Sequence, residues 1–298
     1  RVREAEAAGS LDDAMRAGYN WDYGPFELLD QFGVNWFRKK LIAEGIHDIP
    51  PLLSKAHESF YKVNNDRLQV MNFNGDYVDI RREKGVVSLE DIKRKSSPLV
   101  THHSASLWDI GDGIVCLEFH STQNSIDPSI LHVINESIKL VNGSNGQYKG
   151  MVIYNDATRF SLGANLKLVE AFMNVTENKY AQMLGLADYV ENGLKGIVHE
   201  LVYQGQSVYT ALKQAPFPVI GAPKGQAPKS AATVNMALGG GCEVLLNCDA
   251  IVSGPDQVMG LPETGLGLLP AWTGSARYLQ RAFDRAGQVK GPMAPVKE

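Results

Sequence analysis

Apolar side chains recur at helical spacing through the first forty residues. Leu11 to Gly18 reads as a short helix, with Ser10 and Asp13 in a capping-box pattern at its start. After the Gly24-Pro25 turn, Phe26, Leu28, Leu29, Phe32, Val34, Trp36 and Phe37 predict a helix to Lys40, interrupted at Gly33. Pro50-Pro51 breaks the pattern, and Pro51 to Phe60 predicts another amphipathic helix. Val70-Met71-Asn72-Phe73 and Tyr77-Val78-Asp79-Ile80 then flank Asn74-Gly75, the dipeptide that supplies the positive φ angles of a tight hairpin. Ser88 opens a short helix through Lys95.

Residues 81–104 are charged and polar, and a linker over 81–105 is expected there. From Ser106 the pattern changes. Leu107 to Ile110 and Ile114 to Phe119 read as strands around Gly111-Asp112-Gly113. Ile130, Leu131, Ile134, Ile138 and Val141 mark a helix over Asp127 to Val141, and Met151 to Tyr154 is a strand. The loop Asn155 to Asn165 leads to helical material from Leu166 to Gln214. Pro218 to Ala222 (strand), Gly240 to Asn247 (helix) and Ala250 to Ser253 (strand) follow. Strands alternating with helices predict an α/β layered fold, preceded by a mainly α-helical region over 1–80.

Composition narrows the functions available. The 298 residues carry 44% apolar and 21% charged side chains and a net charge of −4, so the chain has no basic excess for nucleic acid. No run of 18 apolar residues suggests a membrane span. Cys116, Cys242 and Cys248 are too few for a disulfide framework and suggest a reducing compartment. The seven histidines show no metal-ligand spacing. With Arg1-Val2-Arg3 at one end and a linker-like Pro-rich stretch at the other, the sequence reads as a piece of something longer.

Three features carry candidate chemistry. In Ala237-Leu238-Gly239-Gly240-Gly241-Cys242-Glu243-Val244, glycines lead into an apolar helix whose first amides lack internal partners and suit a negative charge. Phe160-Ser161-Leu162-Gly163-Ala164-Asn165-Leu166 follows a buried-looking strand and could supply a second amide to the same anion. Glu243 and Glu263 are carboxylates in apolar, glycine-rich settings, where raised pKa values allow acid–base work near neutrality. The plainer readings are a tight turn for the glycines, a connection for the second segment, and a surface charge at a helix start for Glu243. No Gly-x-Gly-x-x-Gly dinucleotide fingerprint is present.

From Ser106 onward the sequence resembles the crotonase, or enoyl-CoA hydratase/isomerase, superfamily. The resemblance rests on Phe160 to Leu166, Pro218 to Gly225, Ala237 to Asp249 and Met259 to Pro270, in that order, with 20 residues from Glu243 to Glu263. Asp12-Asp13-Ala14-Met15-Arg16-Ala17-Gly18 and Tyr23-Gly24-Pro25-Phe26-Glu27-Leu28-Leu29-Asp30 resemble the C-terminal helical domain of 3-hydroxyacyl-CoA dehydrogenases. Together they resemble the junction of a bacterial multifunctional β-oxidation protein. The implied domains are 1–80 (the end of the dehydrogenase), 81–105 (linker) and 106–298 (a hydratase domain, C-terminally incomplete). The implied fold is a crotonase-like spiral of ββα units.

The resemblance also implies a chemistry. Hydration of 2-enoyl-CoA to 3-hydroxyacyl-CoA is expected, with Glu243 orienting and activating water and Glu263 serving Cα. The backbone amides of Ala164 and Gly240 would hold the thioester oxygen. Gly163, Ala164, Asn165, Leu166, Lys167, Gly239, Gly240 and Pro262 would contact the substrate. An isomerase, or a non-catalytic module binding CoA esters, are the alternatives. NAD is expected only for a dehydrogenase domain upstream of Arg1. A homo-oligomer or a complex with a β-oxidation thiolase, in bacterial cytoplasm, is also implied. Two departures from the family pattern stand out: eleven intervening residues, Gln226 to Met236, and a long stretch from Val169 to Gln214.

Overall fold

The computed structural model describes residues 8–19, 21, 23–80, 82, 84–157, 159–165, 187–223, 235–255 and 257–288. They belong to two compact units, one over the first 96 residues and one from Ser97 onward.

In the first unit, α1 (Ala8–Tyr19), α2 (Pro25–Phe32), α3 (Val34–Ala43), α4 (Pro51–Lys55) and α5 (Leu89–Lys95) accompany three strands. The helix expected through Lys40 is divided at Gly33, whose φ of +90° ends α2 and starts α3. Ser10 does not open α1 but lies within it, because the helix begins at Ala8. The helix expected over Pro51 to Phe60 stops at Lys55. The Asp30 carboxylate takes the amides of Phe60 (2.6 Å) and Tyr61 (2.8 Å), which favours extended chain there.

The strands β1 (Tyr61–Asn64), β2 (Arg67–Met71) and β3 (Tyr77–Asp79) form an antiparallel sheet in that order. A hairpin joins β2 to β3 through the Asn74-Gly75 region as expected, but its turn spans Asn72–Asp76 and only Gly75 of the pair has positive φ (93°). A second hairpin, at Asn65-Asp66, has both residues at positive φ (48° and 59°). Phe60, Val70, Met71, Val34 and Leu53 form the core of this unit, and the Phe26 ring lies 4.7 Å from that of Phe60. Asp12 is buried among them. Its carboxylate accepts from the Phe26 amide (2.8 Å) and the Tyr61 hydroxyl (2.6 Å), satisfying a group that burial would otherwise penalise.

The second unit is an α/β structure around a six-stranded mixed sheet. Its strands are β4 (Val100–His102), β5 (Ala105–Asp109), β6 (Ile114–Phe119), β7 (Gly150–Ile153), β8 (Val219–Gly221) and β10 (Ala250–Ile251), ordered β10-β8-β7-β6-β5-β4. β4, β5 and β6 pair antiparallel, and β6, β7, β8 and β10 pair parallel. The sheet therefore starts inside the stretch expected to be a linker. Val100–His102 pairs with Ala105–Leu107, so polar sequence there serves an edge strand rather than a tether.

The helix α6 (Pro128–Gly143) crosses from β6 to β7 and is capped by Asp127, which accepts from the Ile130 amide at 2.9 Å. Its apolar side, Ile130, Leu131, Ile134 and Val141, lies in the core with Leu107, Leu117, Met151 and Ile153. α7 (Ala187–Lys213) precedes β8. α8 (Gly240–Leu246) is entirely buried, and α9 (Gly274–Gln288) packs against it.

A second, smaller parallel array lies beside the main sheet. β9 (Met236–Leu238) pairs with β11 (Val258–Gly260), Ser161 bridges to Ala237, and Ile126 bridges to Ala164. This array brings the loop after β7 against the glycine turn before α8. Most of the expected insertion, and the expected helical start at Leu166, lie outside the described residues.

Candidate functional site

The Gly163–Asn165 segment and the Gly239–Gly241 turn meet backbone to backbone. Gly163 has a φ of +92°, and a Cβ built there would stand 2.8 Å from the Leu238 carbonyl oxygen and 3.0 Å from the Gly240 nitrogen. Only glycine permits that approach. Gly239 has a φ of +50°, and Gly241 is pressed onto Ser161 so closely that a Cβ would lie 2.5 Å from the serine Cβ. The glycine triplet is thus a close-packing device as well as a turn.

Two amides emerge from this contact. The chain on either side of Ala164 is tied down: Gly163 gives its carbonyl to the Ile126 amide (2.7 Å), and the Asn165 amide bonds the Ile126 carbonyl (2.9 Å). In parallel pairing the residue between two such bonds directs its own N–H to the opposite edge. That edge faces Gly240, where a Cβ would be 3.5 Å from the Ala164 nitrogen. The Gly239 amide is used by the Gly260 carbonyl (3.0 Å). The next amide, that of Gly240, is the first of α8 and has no intrahelical partner. Neither the Ala164 nor the Gly240 amide meets an acceptor among the described residues.

Glu243 stands in the first turn of α8 and is only 2% exposed, so it is not a surface charge at a helix start. Its Oε1 accepts from the backbone amides of Trp272 (2.9 Å) and Gly274 (2.8 Å). Burial pushes its carboxyl up to about 7, and the negative charge of Glu263 acts in the same direction. The two amide hydrogen bonds oppose the shift without cancelling it.

Glu263 opens a 3-10 turn, Glu263–Leu266, just after β11. Its Oε1 lies 3.2 Å from where a Gly239 Cβ would be, so it lines the same glycine turn from another side. Its Oε2 is buried and has no hydrogen-bond partner among the described residues. A buried carboxylate oxygen without a partner is costly in a finished core and marks a position aimed at something else. Pro262 precedes it as the cap of the turn and is exposed. Asn165 is half-buried beside Ala164. Leu166 and Lys167 lie outside the described residues.

Several neighbours were not singled out by sequence reasoning. Trp272 supplies an amide to Glu243, and its indole covers Gly240, where a Cβ would fall 2.7 Å from the ring. Tyr209 of α7, fully buried, donates its hydroxyl to the Gly240 carbonyl (2.9 Å) and meets the Trp272 ring edge-on at 5.6 Å. Burial, with the nearby Glu243 charge, raises its phenol well above the ordinary range. Cys242 faces both glutamates and is pushed up to about 11, mainly by burial, so it stays a thiol. The one local signal for the Trp272 region was its place just after the Pro270 segment, and the aromatic residue itself gave no hint of its contact with Gly240.

The fold and site together define an α/β protein with a paired-carboxylate, paired-amide centre. No family model matches the chain. The chain is 30% identical over 288 residues to a Bacillus subtilis (strain 168) protein named "Probable 3-hydroxyacyl-CoA dehydrogenase", covering 94% of this chain and 32% of that one. It is 26% identical over 272 residues to a Rickettsia prowazekii protein named "Putative fatty acid oxidation complex trifunctional enzyme", covering 91% and 31%. The chain therefore spans about a third of the length of these curated relatives. Among solved structures, an enoyl-CoA hydratase from Bacillus anthracis aligns with a TM-score of 0.44 and 20% identity, over 60% of this chain and 58% of that one.

Proposed function

We propose that the second unit hydrates 2-enoyl-CoA thioesters reversibly to 3-hydroxyacyl-CoA within fatty-acid β-oxidation, as part of a longer protein that also carries 3-hydroxyacyl-CoA dehydrogenase activity. The observation that carries this reading is the arrangement of two carboxylates, Glu243 and Glu263, around a pair of amides, Ala164 and Gly240, that meet no acceptor among the described residues. The naming of the two relatives for 3-hydroxyacyl-CoA and fatty-acid oxidation supports the substrate class.

The chemistry follows from charge. Adding water across the double bond places negative charge on the thioester oxygen, and two preoriented amides stabilise that charge as it develops. Loss of one such donor costs about 3 kcal/mol. One carboxylate takes a proton from water as its oxygen bonds Cβ. The other, protonated, delivers a proton to Cα. Burial and the neighbouring Glu263 charge raise the Glu243 carboxyl, so it can exchange a proton near neutrality. Glu243, with an Oε1 fixed by two amides and a pKa near 7, suits holding and deprotonating the water. Glu263, with its unpartnered Oε2, suits delivery to Cα. Hydride transfer is assigned to no residue of this chain, since the sequence has no dinucleotide fingerprint.

Glu263→Gln is expected to lower hydration of crotonyl-CoA by ~10²–10⁴-fold while leaving CoA-thioester affinity nearly intact. Steady-state turnover and equilibrium binding measure the two quantities, and near-normal turnover in the variant contradicts the reading. Supplying a 3-enoyl-CoA and identifying the product separates hydration from isomerisation.

A further inference from the structure

Thr273 sits between the two residues whose amides hold Glu243, and its φ is +79°. A β-branched residue rarely adopts that conformation, so the surroundings must hold it there. The conformation has a consequence: amides on either side of a positive-φ residue converge on one anion, here Oε1 of Glu243. Gly274 must be glycine for the carboxylate to approach, since a Cβ would stand 2.7 Å from both Cγ and Oε1 of Glu243.

Thr273 is held at its carbonyl by the Arg277 amide (3.0 Å) and at its hydroxyl by Asn247, a fully buried residue just past the end of α8. Its Nδ2 donates to the Thr273 hydroxyl (2.9 Å) and to the backbone carbonyl of Glu243 (2.8 Å). Its Oδ1 accepts from Nε of Arg277 in α9 (2.9 Å). Both amide donors and the acceptor are thus used, and the group has one orientation that satisfies them. A single rigid carboxamide ties the backbone of Glu243 to the loop that grips its carboxylate.

We propose that Asn247 and Thr273 are positioning residues for Glu243: the Asn247 carboxamide, locked by Arg277, holds the Thr273 hydroxyl and keeps the Trp272 and Gly274 amides aimed at the Glu243 carboxylate. This rests on the reading of Glu243 as the group that handles water. Without Asn247 the loop relaxes to an ordinary φ, at least one amide turns away, and the carboxylate loses a bond that favours its charged form. The other groups facing Glu243 are Glu263 from the 3-10 turn, Tyr209 from α7 and Cys242 on α8. From α9, Arg281 is held on the carbonyls of Leu246 and Cys248. Of the charged groups here, Asn247 bonds Arg277, which loses an acceptor without it.

The test is the titration midpoint of Glu243, read by carbon-13 carboxyl NMR in the full 298-residue chain and assigned by its loss in Glu243→Gln. Asn247→Ala and Thr273→Val are each expected to raise the midpoint by about one pH unit, a tenfold gain in proton affinity. Thr273→Ser, which keeps the hydroxyl, is expected to preserve it. In the pH profile of kcat for crotonyl-CoA the acid limb should move by the same amount, with KM little changed. If Asn247→Ala does not fold, the Thr273→Val and Thr273→Ser pair decides alone. An unmoved midpoint in Thr273→Val overturns the positioning role. Absence of wild-type turnover overturns the hydratase reading instead, and the NMR midpoint still tests the positioning.

Discussion

At the scale of single residues, burial of Glu243 has a measurable thermodynamic signature. Its carboxyl is held at about 7 in the folded chain, against an ordinary value of 4.5. The folded state therefore binds the proton more tightly than the unfolded state. The contribution of this one group to stability is fully present below about pH 4.5 and is lost as pH rises through the window up to about 7. Glu243→Gln removes that dependence. The variant is expected to be more stable than wild type by about 3 kcal/mol at pH 8, with the difference vanishing near pH 4.5. Denaturant titrations at the two pH values measure it. A variant less stable than wild type at pH 8 would contradict the burial argument. Cys116, Cys242 and Cys248 are all buried and form no disulfide, so they add no covalent link to this balance.

Elements were legible in the sequence where local chemistry and tertiary packing agree. Gly33 (φ 90°) marks the α2–α3 break and Gly75 (φ 93°) its hairpin, each at a positive φ that glycine accepts without strain. α6 combines a cap, a proline in its first turn and a regular apolar stripe. Less legible were elements whose logic is long-range. α9 points Arg277 and Arg281 inward at Asn247 and the end of α8, while Tyr278, Leu279 and Phe283 are exposed, so hydropathy alone misleads. β9 and β11 are three residues each and exist through their pairing with one another. At the site, Glu243, Glu263 and the glycine turn stood out as motifs, whereas Trp272, Tyr209 and Asn247 matter through contacts that no spacing reveals.

Gly205 illustrates this long-range logic on one helix. Glycine lowers helix propensity, so Gly205→Ala in the middle of α7 would ordinarily stabilise it. Here a Cβ would stand 2.2 Å from Nε1 of Trp272. Gly205→Ala is instead expected to cost about 1–3 kcal/mol and displace the indole from Gly240. Tryptophan fluorescence and thermal denaturation check both effects, and a stabilised variant with unchanged emission would contradict the packing.

For the whole molecule, the two units have separate buried clusters, one around Phe60 and Met71 and one around Leu117 and Ile153. Unfolding is accordingly expected in two steps rather than one. Phe60→Ala should lower the stability of the first unit by about 3–5 kcal/mol and leave the transition of the second in place. Differential scanning calorimetry would show this as one shifted and one fixed transition. Among the described residues, no helix is long and apolar enough to cross a membrane.

Glu243, Glu263 and the Ala164 and Gly240 amides are proposed to add water to a CoA thioester together. Incubation with crotonyl-CoA in oxygen-18-labelled heavy water, followed by mass spectrometry of the product, reads this out. The wild-type chain is expected to form 3-hydroxybutyryl-CoA carrying one oxygen-18 at C3 and one deuterium at C2, and Glu243→Gln or Glu263→Gln almost none. Bound but unchanged crotonyl-CoA with the wild-type chain, or labelled product formed at the wild-type rate by either variant, would contradict it.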